Sequence, residues 1–191
     1  MIVSIHQPNL FPYEGLLSKI RQSDLFIVLA HAQFERGNYQ NRFRLGERWF
    51  TLSVNQRLEP LNKKFYANPR VDFEAIKRRI PEYAGVLSRF DDLIQESLVL
   101  TNVGIAKRVC KIFGIETPFV FDGPTELRGT ARLVDLCRRA GATTYLSGPS
   151  GPKYLDFDLF REAGIEVDVQ ERGSARAAVE LLLEKEMHRA A

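Results

Sequence analysis

Three polar concentrations in the chain carry residue types that could do chemistry on a small molecule. The first is His6-Gln7-Pro8-Asn9, directly after the apolar run Ile2-Val3-Ser4-Ile5 and shortly before Pro12. An imidazole changes charge near neutral pH and suits a general base. The Gln7 and Asn9 amides both donate and accept, so they can orient a substrate. The second concentration follows His31 and holds Gln33, Asn38, Gln40, Asn41 and Arg42. These side chains donate hydrogen bonds without bringing negative charge, which suits an anionic or sugar-like ligand, and Arg42 can clamp a carboxylate or phosphate. The third is Ser147-Gly148-Pro149-Ser150-Gly151-Pro152-Lys153-Tyr154. Small residues let backbone N–H groups approach a ligand, and Lys153 can neutralise an anion. The Gly-Lys-Ser/Thr order of a P-loop is absent. Each concentration has a plain structural alternative. Asn9 and Pro12 can make a turn beside a hydrogen-bonded loop histidine. Arg42 and Arg44 can be one face of a solvated hairpin, with Phe43 on the other. The Gly/Pro stretch can be an ordinary loop.

The elements that must position these residues read as an α/β chain. Residues up to Ile5 form a buried strand, and a helix follows with Pro12 in its first turn and Leu16, Leu17 and Ile20 on its apolar face. Leu25 to Ala30 is a buried parallel strand, closing a βαβ unit with a right-handed crossover. Further strands are expected over Trp49–Val54, Thr117–Phe121 and Thr143–Leu146, with an alternating edge strand over Ile165–Val169. Helices are expected over about 73–79 (broken at Pro81, resuming toward Phe90), 101–113, 155–163 and 175–189. Another begins at a Thr130 cap and stops at Gly141. His188 falls in the frayed end of the last helix, solvated. The expected fold is a single-domain three-layer sandwich over residues 1–191 with a mainly parallel sheet. All three polar concentrations then follow strands, where open α/β sheets bind ligands.

Composition sets further bounds. With 191 residues, 45 % hydrophobic and 27 % charged, the chain has the balance of an ordinary globular domain. A net charge of +3, spread along the sequence, is too small to argue for nucleic acid, and no membrane surface is favoured. The two cysteines, Cys110 and Cys137, sit among apolar helical neighbours and are expected as buried free thiols. No basic segment precedes an apolar one at the start, and Leu25–Ala30 is too short to span a bilayer. These readings favour a cytoplasmic protein.

The opening Ile5-His6-Gln7-Pro8-Asn9 with Pro12 and Gly15, then Lys19-Ile20, Ser23-Asp24, Gln33-Phe34 and Gln40-Asn41-Arg42, resembles the WbqC-like family. The likeness resumes at Ala142-Thr143-Thr144-Tyr145-Leu146-Ser147-Gly148 and Lys153-Tyr154-Leu155, and Val179-Glu180-Leu181-Leu182 is similar to a reduced closing helix. Members of that bacterial family occur in gene clusters for surface polysaccharides, including ones with modified amino sugars, and in natural-product pathways. The resemblance implies a small-molecule transferase role. Two departures stand out. Ala30-His31 replace the acidic residues common after the second strand, and only Glu171 to Ser174 remain of a longer segment before the last helix. A fainter likeness joins the opening to the strand–HxGH–helix start of nucleotidylyltransferases, whose Rossmann-like α/β arrangement is the expected architecture. Tyr13 and Leu16 replace both histidines of that motif, so adenylating chemistry does not follow.

The leading functional expectation is a group-transfer enzyme acting on a small molecule, free or delivered on a nucleotide sugar or a carrier. His6 is its general base. Gln7, Asn9, Tyr13, His31, Gln33, Asn38, Gln40, Asn41, Arg42, Ser147, Gly148, Lys153 and Tyr154 bind substrate. No cofactor is assigned, and a homodimer stays open. The alternative is a non-catalytic small-molecule binder or scaffold of a biosynthetic complex. Metal-dependent hydrolysis through His6 and His31, with Asp24 or Asp122 nearby, lacks any metal-ligand spacing, and neither cysteine has the polar setting of a nucleophile.

Overall fold

The computed structural model describes residues 1–190, with side chains as far as His188. In chain order the elements are β1 (Ile2–His6), α1 (Glu14–Arg21), β2 (Leu25–Val28), β3 (Arg42–Leu45), β4 (Arg48–Thr51), α2 (Pro69–Arg79), α3 (Ala84–Ser88), α4 (Leu98–Ile112), β5 (Phe119–Phe121), α5 (Gly129–Ala140), β6 (Thr144–Ser147), α6 (Phe157–Glu162), β7 (Glu166–Val169) and α7 (Ala178–Ala190). They fall into two compact units, one of residues 1–7, 15–31 and 115–173, the other of 8–14, 32–114 and 174 onward.

The first unit is built on a five-stranded sheet in the order β5-β2-β1-β6-β7, every pairing parallel. Counted within the sheet, that is third, second, first, fourth, fifth, so the winding reverses between β1 and β6. Helices flank the sheet in the expected three-layer α/β arrangement. The apolar runs account for it: Val3, Ile5, Ile27 and Tyr145 from the strands share one buried cluster with Val134 and Cys137 of α5 and Phe160 of α6. The Tyr145 and Phe160 rings stack 5.0 Å apart. β7 is the edge strand, as its alternation predicts.

Two helix starts differ from the sequence reading. Pro12 stands before α1 rather than in its first turn. Its carbonyl accepts from Ala178 N at 2.9 Å and Tyr13 bridges Ala177, which holds this segment extended. Thr130 does not cap α5. The helix opens one residue earlier, at Gly129 with φ 55°, and Thr130 Oγ1 accepts from Asp156 N at 3.0 Å. Asp156 in turn caps α6 by accepting from Asp158 and Leu159 N. A short helix therefore hangs from the start of a longer one.

The second unit carries the antiparallel hairpin β3–β4, with Arg42 opposite Thr51 and Phe43 opposite Phe50. Arg42, Phe43 and Arg44 alternate along β3 of this hairpin, with Phe43 fully buried. Its core is aromatic: the Phe11 ring lies 4.9 Å from Phe43 and 5.2 Å from Phe90. Phe11 has φ 53°, an uncommon setting for a residue with a side chain, and its burial at 1 % exposure holds it there. Cys110 and Cys137 are buried free thiols. Among the described residues no helix is long and apolar enough to cross a membrane.

Candidate functional site

His6 ends β1 at the reversal of the sheet. It pairs with Val28 on one side. On the other side β1 pairs with β6, in the register that sets Ser4 beside Leu146. Open parallel sheets bind ligands beyond their carboxyl ends at such a reversal. The ring is half-buried, with Nδ1 2.7 Å from the Gln7 carbonyl oxygen. A carbonyl only accepts, so Nδ1 carries the proton and Nε2 keeps its lone pair. Burial lowers the pKa to about 4, the Lys19 ammonium lowers it too, and the Gln7 carbonyl works the other way. At neutral pH the imidazole is uncharged and Nε2 is a proton acceptor.

Lys19 escaped the sequence reading. It is 4 % exposed, donates from Nζ to the Ile5 carbonyl at 3.1 Å, and sits 5.8 Å from the centroid of the Tyr145 ring. Burial lowers its pKa to about 8 against a smaller opposing effect of Cys137. It therefore remains cationic at neutral pH and keeps a proton off His6. The signal was present: Leu16, Lys19, Ile20 and Ser23 recur at the spacing of one helix face. Ser23 Oγ lies 2.7 Å from Ser4 Oγ and 2.8 Å from the Lys19 carbonyl, tying α1 to β1.

At the end of β2 the sequence shows no carboxylate, yet the fold supplies one. Asp122 Oδ1 accepts from Ala30 N at 2.8 Å, His31 N at 3.1 Å and His31 Nδ1 at 3.0 Å, and Oδ2 pairs with Arg132. Asp122 thus stands against Ala30-His31, where the acidic residues are missing, and holds the His31 ring through Nδ1. Asp24 lies at the opposite end of the sheet, accepting from Ile2 N at 2.7 Å. Among the described residues no group of three or more His, Cys, Asp or Glu is placed to hold a metal ion. In the third polar stretch Ser147 is buried and donates to the Gly148 carbonyl at 3.2 Å. The loop folds back so tightly that a Cβ at residue 151 would meet Ser147 Oγ at 1.9 Å, so only glycine fits there. Lys153 and Tyr154 are exposed on the turn that follows.

In the second unit the polar residues divide. Gln33 Nε2 donates to the Glu59 carbonyl at 3.0 Å, and Asn38 Oδ1 accepts from Tyr39 N at 2.7 Å. Gln40 is fully buried and its Oε1 accepts from Glu35 N at 2.8 Å. These three hold the loop's backbone. Asn41 also ties backbone, its Nδ2 donating to the Leu52 carbonyl at 2.9 Å, and together with Arg42 it lines a cavity of about 310 Å³. Tyr13 belongs to a run of rings that ends on Arg42: Tyr13 to Tyr39 at 5.5 Å, Tyr39 to Trp49 at 5.1 Å, and the guanidinium carbon 3.9 Å from the Trp49 centroid. Asn9 is 4 % exposed and its side chain makes no hydrogen bond among the described residues. Sequence reasoning also missed Asn102, whose Nδ2 donates to the carbonyls of Pro8 at 2.9 Å and Gln40 at 2.7 Å while Oδ1 accepts from Tyr66 OH at 2.7 Å. It fixes the backbone next to both Asn9 and Asn41.

The chain is similar to the "Uncharacterized protein Rv1507c" of Mycobacterium tuberculosis, 28 % identical over 189 residues that cover 86 % of this chain and 80 % of that one. A crystal structure of a Zn(II)-bound AdcAII variant of Streptococcus pneumoniae is 10 % identical and covers 99 % of this chain and 97 % of its own. Its TM-score of 0.25 is too low to carry an argument about fold or function. The WbqC-like protein family matches residues 7–176, a span that takes in Asn9, Gln40-Asn41-Arg42 and the loop after Ser147. By that match over most of its length, the chain belongs to the WbqC-like protein family.

Proposed function

We propose that the protein is a small-molecule group-transfer enzyme that passes an acyl or aminoacyl group from an activated donor to an amine or hydroxyl. The observation behind this reading is His6: an uncharged imidazole at the sheet's reversal, its Nδ1–H held by a carbonyl and its Nε2 unprotonated. Family membership suggests the setting, an amino sugar or natural-product intermediate in surface-polysaccharide or secondary-metabolite biosynthesis in the cytoplasm. In the step, the acceptor nitrogen or oxygen bonds to the acyl carbon and its proton passes to His6 Nε2. The bond from the acyl carbon to the donor's sulfur or oxygen then breaks, and the leaving atom takes that proton back. An attacking N–H becomes far more acidic as the new bond forms, so a weak base suffices. Gln7 and His31 orient the acceptor, and the Gly148 backbone with Lys153 offsets developing negative charge.

The low basicity of His6 favours one second reading, a binding or scaffold protein in which the imidazole only orients a ligand. Turnover separates the two. Purified protein is offered coenzyme A thioesters with nucleotide-activated amino sugars, and acylated products are read by mass spectrometry. A general base predicts that His6→Ala lowers turnover by roughly 10²–10⁴-fold while the substrate still binds. If binding and turnover fall together, His6 is a ligand contact and the binder reading takes over.

A further inference from the structure

The 310 Å³ cavity of the second unit has an unbalanced wall. Arg36, Arg42 and Lys64 line it together with Asn41, Asn55 and Ser53; the Glu59 and Asp72 carboxylates do not line it but accept from Asn55 Nδ2 at 3.0 Å and from Ser53 Oγ at 2.5 Å. Lys64 is the telling residue. It is 3 % exposed, its Nζ donates to the carbonyls of Asn55 and Arg57 at 2.6 and 2.5 Å, and it stands 4.7 Å from the centroid of the Phe34 ring. An ammonium carries three protons, so one is left after those two bonds. Its pKa is lowered, first by burial, with Glu59 opposing and Arg36 adding to the shift. Arg42 gives one Nη2 bond to the Gly37 carbonyl, and its buried Nε has no partner among the described residues. A buried donor without a partner is destabilising, and one on a charged group more so unless an anion joins it.

We infer that this cavity is an oxyanion site for the phosphate end of a phosphorylated small molecule. The third Lys64 proton and the Arg42 Nε–H supply the charge, while Asn41, Asn55 and Ser53, whose donors are held by Leu52, Glu59 and Asp72, keep oxygen lone pairs for neighbouring sugar-type hydroxyls. The volume lies at the lower end of the range for ligand sites, which span roughly 300–1,000 Å³. It fits a phosphorylated monosaccharide or the phosphate end of a larger donor, not a whole dinucleotide. A carboxylate shares the recognition chemistry, and charge distinguishes the two, because a phosphate dianion can answer Arg42 and Lys64 at once. The site lies within one unit and does not depend on His6 acting as a base.

The test is calorimetric titration of the full chain with inorganic phosphate, with acetate as the carboxylate arm, on the wild type, Arg42→Gln, Arg36→Gln and His6→Ala. Circular dichroism verifies that each variant is folded. The cavity predicts saturable phosphate binding that weakens at least tenfold in Arg42→Gln, weakens with added sodium chloride, and is unchanged in His6→Ala. Because Lys64 also secures two backbone carbonyls, Arg36→Gln at the exposed rim serves as the variant that cannot fail by misfolding, and a threefold or greater loss is expected there. Phosphate binding of equal strength in wild type and Arg42→Gln, or no binding at millimolar phosphate, overturns the assignment. Acetate binding as tightly as phosphate shows a carboxylate site and overturns the phosphate assignment. Loss of phosphate binding in His6→Ala alone overturns the cavity and makes His6 the phosphate contact.

Discussion

Asp122 shows how much a single side chain can hold in this protein. It is fully buried, and it answers two backbone N–H groups, the His31 ring and the Arg132 guanidinium. Arg132 is itself only 15 % exposed at its side chain, and its Nε has no partner. Removing the charge of Asp122 strands a largely buried cation, which costs about 3–5 kcal/mol. Asp122→Asn should therefore lower the urea midpoint markedly, and adding Arg132→Leu should recover part of the loss. An unchanged midpoint in Asp122→Asn would show that water already solvates the pair. The residue scale is also where sequence reading is weakest. Asn38, Gln40 and Asn41 are chemically alike and close together, and all three tie backbone, yet Asn41 alone of the three also lines the cavity. Only the path of the chain decides which.

At the scale of elements, most of the first unit was legible. Ile2–Ile5, Leu25–Ala30 and Thr143–Leu146 are apolar runs of strand length separated by helical periodicity, and that pattern is how a parallel sheet covered on both faces is written. Glycine stops were legible as well: Gly141 sits at φ 71° at the end of α5, where a left-handed residue is required. Helix starts were less so. A threonine ahead of an apolar run looks like a cap, but Gly129 opens α5 one residue sooner and frees Thr130 to bind Asp156. The hairpin β3–β4 was ambiguous because Arg-Phe-Arg alternation suits a solvated ribbon and a ligand wall equally. Lys19 was passed over because lysine on a short helix is usually solvated. Its spacing with Leu16 and Ile20 was the correct guide.

Across the whole molecule, stability depends on pH through His6. His6 has a folded pKa of about 4 against an ordinary value of 6.5. Between those values the unfolded chain binds the proton and the native state does not, so stability rises with pH through the window and is lost as pH falls from about 6.5 to about 4. The difference amounts to roughly 3 kcal/mol. Urea unfolding at pH 7 and pH 4 should show a smaller fall for His6→Gln than for the wild type. Equal falls would mean that His6 titrates normally. The division into two units was not legible at this scale. The chain passes between them at residues 7–8, 14–15, 31–32, 114–115 and 173–174, where the sequence offers single residues such as Pro8, Gly15 and Gly114 or the dipeptide Gly173-Ser174 rather than the extended linker that marks a boundary.

The claim on which the account rests is that His6 is an uncharged imidazole with Nε2 open to accept a proton. Nitrogen-15 correlation spectra of the imidazole in folded, full-length protein, followed across pH and assigned by loss in His6→Gln, test this directly. The account predicts a protonated Nδ1 and a bare Nε2 at pH 7, a titration midpoint near 4, and an upward shift of that midpoint in Lys19→Met, where the opposing ammonium is gone. A proton on Nε2 at pH 7, or a midpoint near 6.5 that Lys19→Met leaves in place, would contradict it.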